Sequence, residues 1–156
     1  MKMFRVLLLS SLFLAVLSAC SKSDKPGVPS NDKKAKLTFT VSSEFHKVEG
    51  DHFEVTVSGA DTKGNFIDWM VNGARKTGTN VSVGDDDFNN GKTITIESAS
   101  DFFGGDVYFG GFEGSVTPFT VTWKIEVNGT TIEQGTQKVV RDMSPTFSKS
   151  FQLKLK

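Results

Sequence analysis

An all-β fold is predicted by three observations. Apolar side chains alternate with polar ones at a period of two, turn residues recur at short intervals, and no stretch keeps a helical periodicity. Eight or nine short strands in the 120 residues from Leu37 to Lys156 make a sandwich or a barrel.

The strands can be justified in order. Leu37, Phe39 and Val41 alternate with Thr38, Thr40 and Ser42, so one face of this segment is apolar. Phe53, Val55 and Val57 repeat the pattern, and Ile67, Trp69 and Val71 carry it to Asn72-Gly73. Shorter candidates are Val81 with Val83, Thr93 to Glu97, and Asp106 to Phe109. Phe119, Val121, Trp123, Ile125 and Val127 then run into Asn128-Gly129, and Thr130 to Val140 return. Asn-Gly supplies the two positive φ angles of a type I′ turn, so a hairpin is expected here. Ser148 to Leu155 is the last strand, with Phe151, Leu153 and Leu155 on one face.

The segment Phe66 to Gly73, FIDWMVNG, resembles the third strand of bacterial immunoglobulin-like and PKD-type domains. In those domains a tryptophan packs between the sheets and an Asn-Gly or Asp-Gly turn follows. The resemblance covers about residues 52–98 and implies an antiparallel immunoglobulin-like β-sandwich with Trp69 in its core. The chain departs from the pattern in having no cysteine pair around the tryptophan and no acidic-glycine motif after it.

The N-terminus has a different character. Lys2 and Arg5 precede an apolar run from Val6 to Leu17, and small residues lead to Cys20, in the order of a secretory signal. The run is shorter than the roughly 20 apolar residues that span a bilayer. Leu17-Ser18-Ala19-Cys20 resembles the lipobox of bacterial lipoproteins, and the overall style is similar to small lipoproteins of Bacteroidota. The resemblance implies cleavage between Ala19 and Cys20 and a diacylglyceryl group on the Cys20 thiol. Residues 1–19 are then a signal peptide, 20–36 a lipidated terminus with a flexible tether, and 37–156 the β-sandwich domain. Ser21 resembles the residue after the cysteine in outer-membrane lipoproteins. The mixed charges of Ser21 to Lys25 differ from the acidic surface-export signal of Bacteroidota, which leaves a periplasmic or a surface-facing position open.

Charge narrows the partners. The segment Ser21 to Lys36 holds five lysines and two aspartates, whereas residues 37–156 hold 11 basic and 16 acidic side chains. An acidic domain is a poor match for nucleic acid, which needs a clustered basic face. Expected partners are therefore the membrane, through the lipid, and an envelope protein or glycan. Cys20 is the sole cysteine, so stability must come from the core and not from a disulfide.

Three stretches are candidate sites. Phe102, Phe103, Tyr108, Phe109 and Phe112 lie among Gly104, Gly105, Gly110, Gly111 and Gly114. As a recognition edge, Phe102, Phe103, Tyr108 and Phe112 would present flat rings to a sugar or peptide. As core, Phe102, Phe109 and Phe112 would be buried and the glycines would mark bulges and corners. Asp85, Asp87 and Asn89 place oxygens at alternate positions and form a calcium candidate, although an EF-hand would need glycine where Asn90 stands and glutamate where Ile96 stands. A hairpin over residues 45–55 would bring His46 and His52 together, with Glu44 or Glu54 as a further metal ligand; the spacing is not a recognised zinc signature, and an exposed polar loop is the better reading.

The sequence contains no Gly-x-Ser-x-Gly elbow, no phosphate-binding loop and no His-Glu-x-x-His. No catalytic residue and no cofactor is expected. The leading functional expectation is a noncatalytic lipoprotein whose sandwich binds another protein or acts structurally. Two alternatives are a carbohydrate-binding accessory lipoprotein using residues 102–112 and an inhibitor or immunity-type lipoprotein.

Overall fold

The computed structural model describes residues 33–154. Cys20 and the tether up to Asp32 lie outside the described residues, as does the end of the last predicted strand at Leu155. Among the described residues, no helix is long and apolar enough to cross a membrane.

Ten strands form two antiparallel sheets. In chain order they are β1 (Ala35–Val41), β2 (His52–Ala60), β3 (Trp69–Val71), β4 (Ala74–Lys76), β5 (Asn80–Val83), β6 (Thr93–Ser98), β7 (Gly104–Phe112), β8 (Phe119–Val127), β9 (Thr130–Val139) and β10 (Phe147–Lys154). One sheet has six strands in the order β4-β3-β6-β1-β8-β9, and the other has four in the order β10-β7-β2-β5. The all-β sandwich expected from the sequence is present. The tenth strand is β4, whose Ala-Arg-Lys is fully exposed and so leaves no alternation to read. Asn72 and Gly73 adopt φ of 47° and 81°, the turn geometry that folds β4 back on β3. The second Asn-Gly pair does the same for β8 and β9, with φ of 51° at Asn128 and 72° at Gly129.

The period-two residues supply the core. Leu37, Phe39 and Val41 of β1 face Phe53, Val55 and Val57 of β2, and all six are buried. Phe109 is the hub between the sheets, with ring centroids 4.9 Å from Phe39, 5.3 Å from Trp123 and 6.0 Å from both Phe147 and Phe151. Trp69 is fully buried, as the resemblance to immunoglobulin-like strands implied, with its ring 6.0 Å from that of Phe102. Eight of the described phenylalanines are buried, and each contributes roughly 1.5–3 kcal/mol by leaving water.

The first strand starts earlier than residue 37. Ala35 is already fully buried in β1, and the Lys33 carbonyl accepts a hydrogen bond of 2.6 Å from the Phe102 amide. On one flank the long strands β9 and β10 are both sheet edges. There Lys149 of β10 points inward and sets its ammonium 5.6 Å from the Trp123 ring, while Gly135 of β9 leaves room for the other side of that ring.

Candidate functional site

The outer face of the four-stranded sheet is organised by β7, at its centre. Val107 and Phe109 point into the core, so Tyr108 and Phe112 point outward with Gly110 between them. The register places Tyr108 between Thr56 and Ser150, Gly110 between Glu54 and Ser148, and Phe112 beside His52. A side chain is missing from the middle of this face, and a trough of 260 Å³ results. It is lined chiefly by His52, Glu54, Tyr108, Phe112, Thr146 and Ser148. Tyr108 is 45% exposed and Phe112 49%, and the His52 ring lies 5.1 Å from Phe112.

The glycines are not the bulges and corners that the core reading assigned to them. Pairing of β7 with β2 is continuous from His52–Phe112 to Ala60–Gly104. A Cβ on Gly111 would run into the His52 carbonyl, and one on Gly110 would come within 2.7 Å of the Phe147 carbonyl. Close backbone approach therefore selects glycine in a regular strand. Continuity also fixes the parity of the strand: Phe109 and Phe112 cannot both face inward.

The four aromatic candidates separate accordingly. Tyr108 and Phe112 share the trough. Phe103 is 56% exposed but sits at the opposite end of β7, beyond Gly104. Phe102 is fully buried between Trp69 and Gly59, which removes it from any ligand surface.

The acidic stretch forms a single helical turn, α1 (Asp85–Phe88), pinned by the buried Phe88. Asp85 accepts hydrogen bonds from the Phe53 amide (2.8 Å) and the His52 ring (3.1 Å). Asp87 accepts from the Gly84 amide, Asp86 pairs with Lys47, and Asn89 accepts from the Lys47 amide. The calcium candidates Asp85, Asp87 and Asn89 thus each accept from a different backbone amide, and Asp85 also meets the His52 ring.

His46 and His52 are held apart by a 3-10 turn at Lys47–Glu49 that ends on Gly50 with φ of 93°. The His46 ring contacts Asn90, and the His52 ring contacts Asp85 and Phe112. Among the described residues no group of three or more His, Cys, Asp or Glu side chains is arranged to hold a metal ion.

Sequence reasoning missed two buried carboxylates at this end of the sandwich. Asp51 accepts from the amides of His46, Gly114 and Ser115, and so ties the entry of β2 to the loop after β7. Glu113 accepts from the Arg141 amide, while its second oxygen is buried without a partner in the protein. Their only sequence signal is a carboxylate beside a turn glycine, as in Gly50-Asp51 and Glu113-Gly114, a pattern too common to single them out.

No family model matches the chain, and no curated protein matches it. Solved structures do. The chain is similar to a domain of unknown function, DUF4425, from Bacteroides vulgatus, with a TM-score of 0.56 and 13% identity over 78% of this chain and 93% of that one. A second similar structure is the calcium-bound form of a protein from Parabacteroides distasonis, with a TM-score of 0.56 and 15% identity over 83% and 98%. A third is a DUF4425 family protein from Bacteroides ovatus, with a TM-score of 0.55 and 9% identity over 78% and 94%. At these identities the likeness shows a shared sandwich fold.

Proposed function

We propose that the protein is a noncatalytic binding module, held at a membrane of the cell envelope by a lipid on Cys20, that takes its ligand on the outer face of the four-stranded sheet. One observation carries this reading: two half-exposed rings, Tyr108 and Phe112, flank a trough floored by Gly110. Two large rings left half exposed on the same outward face of one strand, around an open floor, are a surface suited to contact a ligand. Glu54 is the one carboxylate among the residues lining the trough, whereas glycoside hydrolysis uses a pair. The lipid anchor rests on the lipobox-like Leu17-Ser18-Ala19-Cys20, and the outer membrane on Ser21.

The lining favours a glycan over a protein. Ring faces suit the C–H surface of a sugar, and the Glu54 carboxylate, the His52 imidazole and the Thr146 and Ser148 hydroxyls can exchange hydrogen bonds with its hydroxyl groups. A protein partner, including an enzyme inhibited by this chain, would use the same two rings as anchors. The test is calorimetric titration of the mature protein with neutral polysaccharides, alongside a pull-down from envelope extracts. Tyr108→Ala and Phe112→Ala should each weaken glycan binding by about 2- to 12-fold, from about 0.5–1.5 kcal/mol for an aromatic contact. Capture of a protein through the same two rings, without glycan binding, would make protein recognition the function. Binding of either class that ignores both substitutions would remove the trough from the reading. The anchor has its own test: Cys20→Ala should move the protein from the detergent phase to the aqueous phase.

A further inference from the structure

The two ends of the sandwich carry opposite chemistry. At the end where β2 begins and β7 finishes, the loops 42–51, 84–92, 113–118 and 140–146 contain eight carboxylates against three cationic side chains. At the other end the chain enters β1 through Lys33 and Lys34, and Lys63 and Lys154 are exposed nearby. The carboxylates there are largely consumed by the fold. Asp68 pairs with Arg75 at 2.9 Å, and Asp61 accepts from the amides of Lys63 and Asn65 and from the Asn65 side chain. Asp101 and Asp106 are the acids left over there, and Asp106 lies beside Lys154 along the lining of the groove at this end.

This basic end also exposes two large apolar side chains. Phe66 is 63% exposed and Phe103 is 56% exposed. Both are fixed to the last residue of β2: Phe66 forms an isolated bridge with Ala60 on one side, and the Phe103 amide donates to the Ala60 carbonyl on the other. The backbone therefore holds the rings at a set spacing across one strand. A groove of 360 Å³ runs from Phe103 along Gly104 to Lys154.

We propose that this end of the sandwich docks on an anionic lipid bilayer, with Phe66 and Phe103 inserted at the headgroup boundary and Lys33, Lys34, Lys63 and Lys154 over the headgroups. Three features choose a membrane as the occupant. The chain between Cys20 and Lys33 spans only 13 residues, at most about 45 Å when fully extended, and it arrives at this end and no other. Rings flanked by lysines are the combination that settles at a membrane surface. The acidic end, repelled by anionic headgroups, is turned away by the same field. In this pose β7 stands upright on the bilayer. Gly110 lies six residues from Gly104, so the trough is lifted by roughly 20 Å.

The proposal rests on the lipid-anchor reading for its orientation, but its test does not need the lipid. The full mature chain carrying Cys20→Ser is floated with vesicles of phosphatidylcholine alone and with vesicles of equal parts phosphatidylcholine and phosphatidylglycerol. Binding to the anionic vesicles is expected. It should fall about tenfold or more in Phe66→Ser/Phe103→Ser and roughly fivefold for each of Lys63→Glu and Lys154→Glu. Melting temperatures of the variants should match that of the parent chain, because all four side chains are exposed. Three results would overturn the proposal: no binding to anionic vesicles, binding indifferent to the two phenylalanines, or self-association in sedimentation that Phe66→Ser/Phe103→Ser abolishes, which would make the rings a contact between copies. Failure here with Cys20-dependent detergent partitioning intact removes the docking surface alone, whereas loss of that partitioning removes the anchor.

Discussion

The outer faces of the two sheets are built from the same alternating pattern and end up chemically unlike. On the six-stranded sheet the outward side chains satisfy one another. Thr40 meets Thr93 at 2.8 Å, Thr122 meets Thr136 at 3.1 Å, and Lys36 and Lys124 pair with Glu97 and Glu126. None of the large exposed apolar residues lies on this face. On the four-stranded sheet Tyr108 and Phe112 stand around a glycine, with Glu54 and Ser148 beside them making no mutual pair. Thr56 and Ser82 pair at 2.8 Å on this second face too, so what sets it apart from the first is its two exposed rings.

The largest effect that tests this contrast comes from two adjacent residues. Phe109→Ala should cost about 3–5 kcal/mol in chemical denaturation, because it empties the hub between the sheets. Tyr108→Ala, one residue away and outward, should stay within about 0.5 kcal/mol. Equal losses would mean that Tyr108 belongs to the core and the open face does not exist. Next in size, Gly111→Ala should cost about 1–3 kcal/mol, since its new Cβ meets the His52 carbonyl in the ladder that forms the floor of the trough. Asp85→Ala should cost a similar 1–3 kcal/mol by leaving the Phe53 amide without its acceptor. In the parent chain millimolar calcium should leave the melting temperature in place, because Asp85, Asp87 and Asn89 are each held by a different backbone amide and not turned to a common centre. On the closed face, Thr122→Val should change stability by no more than about 0.5 kcal/mol and ligand binding not at all.

The smallest effect is in acid. The Asn65 side chain and amide hold the Asp61 carboxyl below its ordinary value. A depressed carboxyl contributes fully above its unfolded value, near pH 4, and the contribution fades as pH falls through the lower folded value. An NMR titration should find the Asp61 midpoint below that of a free aspartate, and Asn65→Ala should raise it part of the way, since the amides of residues 63 and 65 still donate.

The fold was legible where a local rule and the tertiary pattern agreed. Phe119 to Val127 with Asn128-Gly129 specified its strand and turn without outside help, as did Leu37 to Val41. The sequence pattern marks only residues 106–109 of β7 (Gly104–Phe112), because glycine has poor strand propensity. Its true length depends on how closely the β2 and β10 backbones approach Gly110 and Gly111, a tertiary property. The candidate site was half legible for the same reason. Composition located the aromatics, but strand parity decides which face each ring takes, and parity becomes known only once the strand is known to be continuous. Hence Tyr108 and Phe112 stay on the surface and Phe102 goes inside. The oxygens of Asp85, Asp87 and Asn89 look like calcium ligands because a sequence lists oxygens without showing which backbone amides already bind them.

Lys149 adds a different kind of consequence. It is a charge turned inward on the edge strand β10, next to the other long edge, β9. A second molecule adding a strand along β10 would have to strip water from that ammonium. The charge therefore opposes fusion of two copies along β10, so that edge is protected against strand addition by a side chain the core itself holds in place.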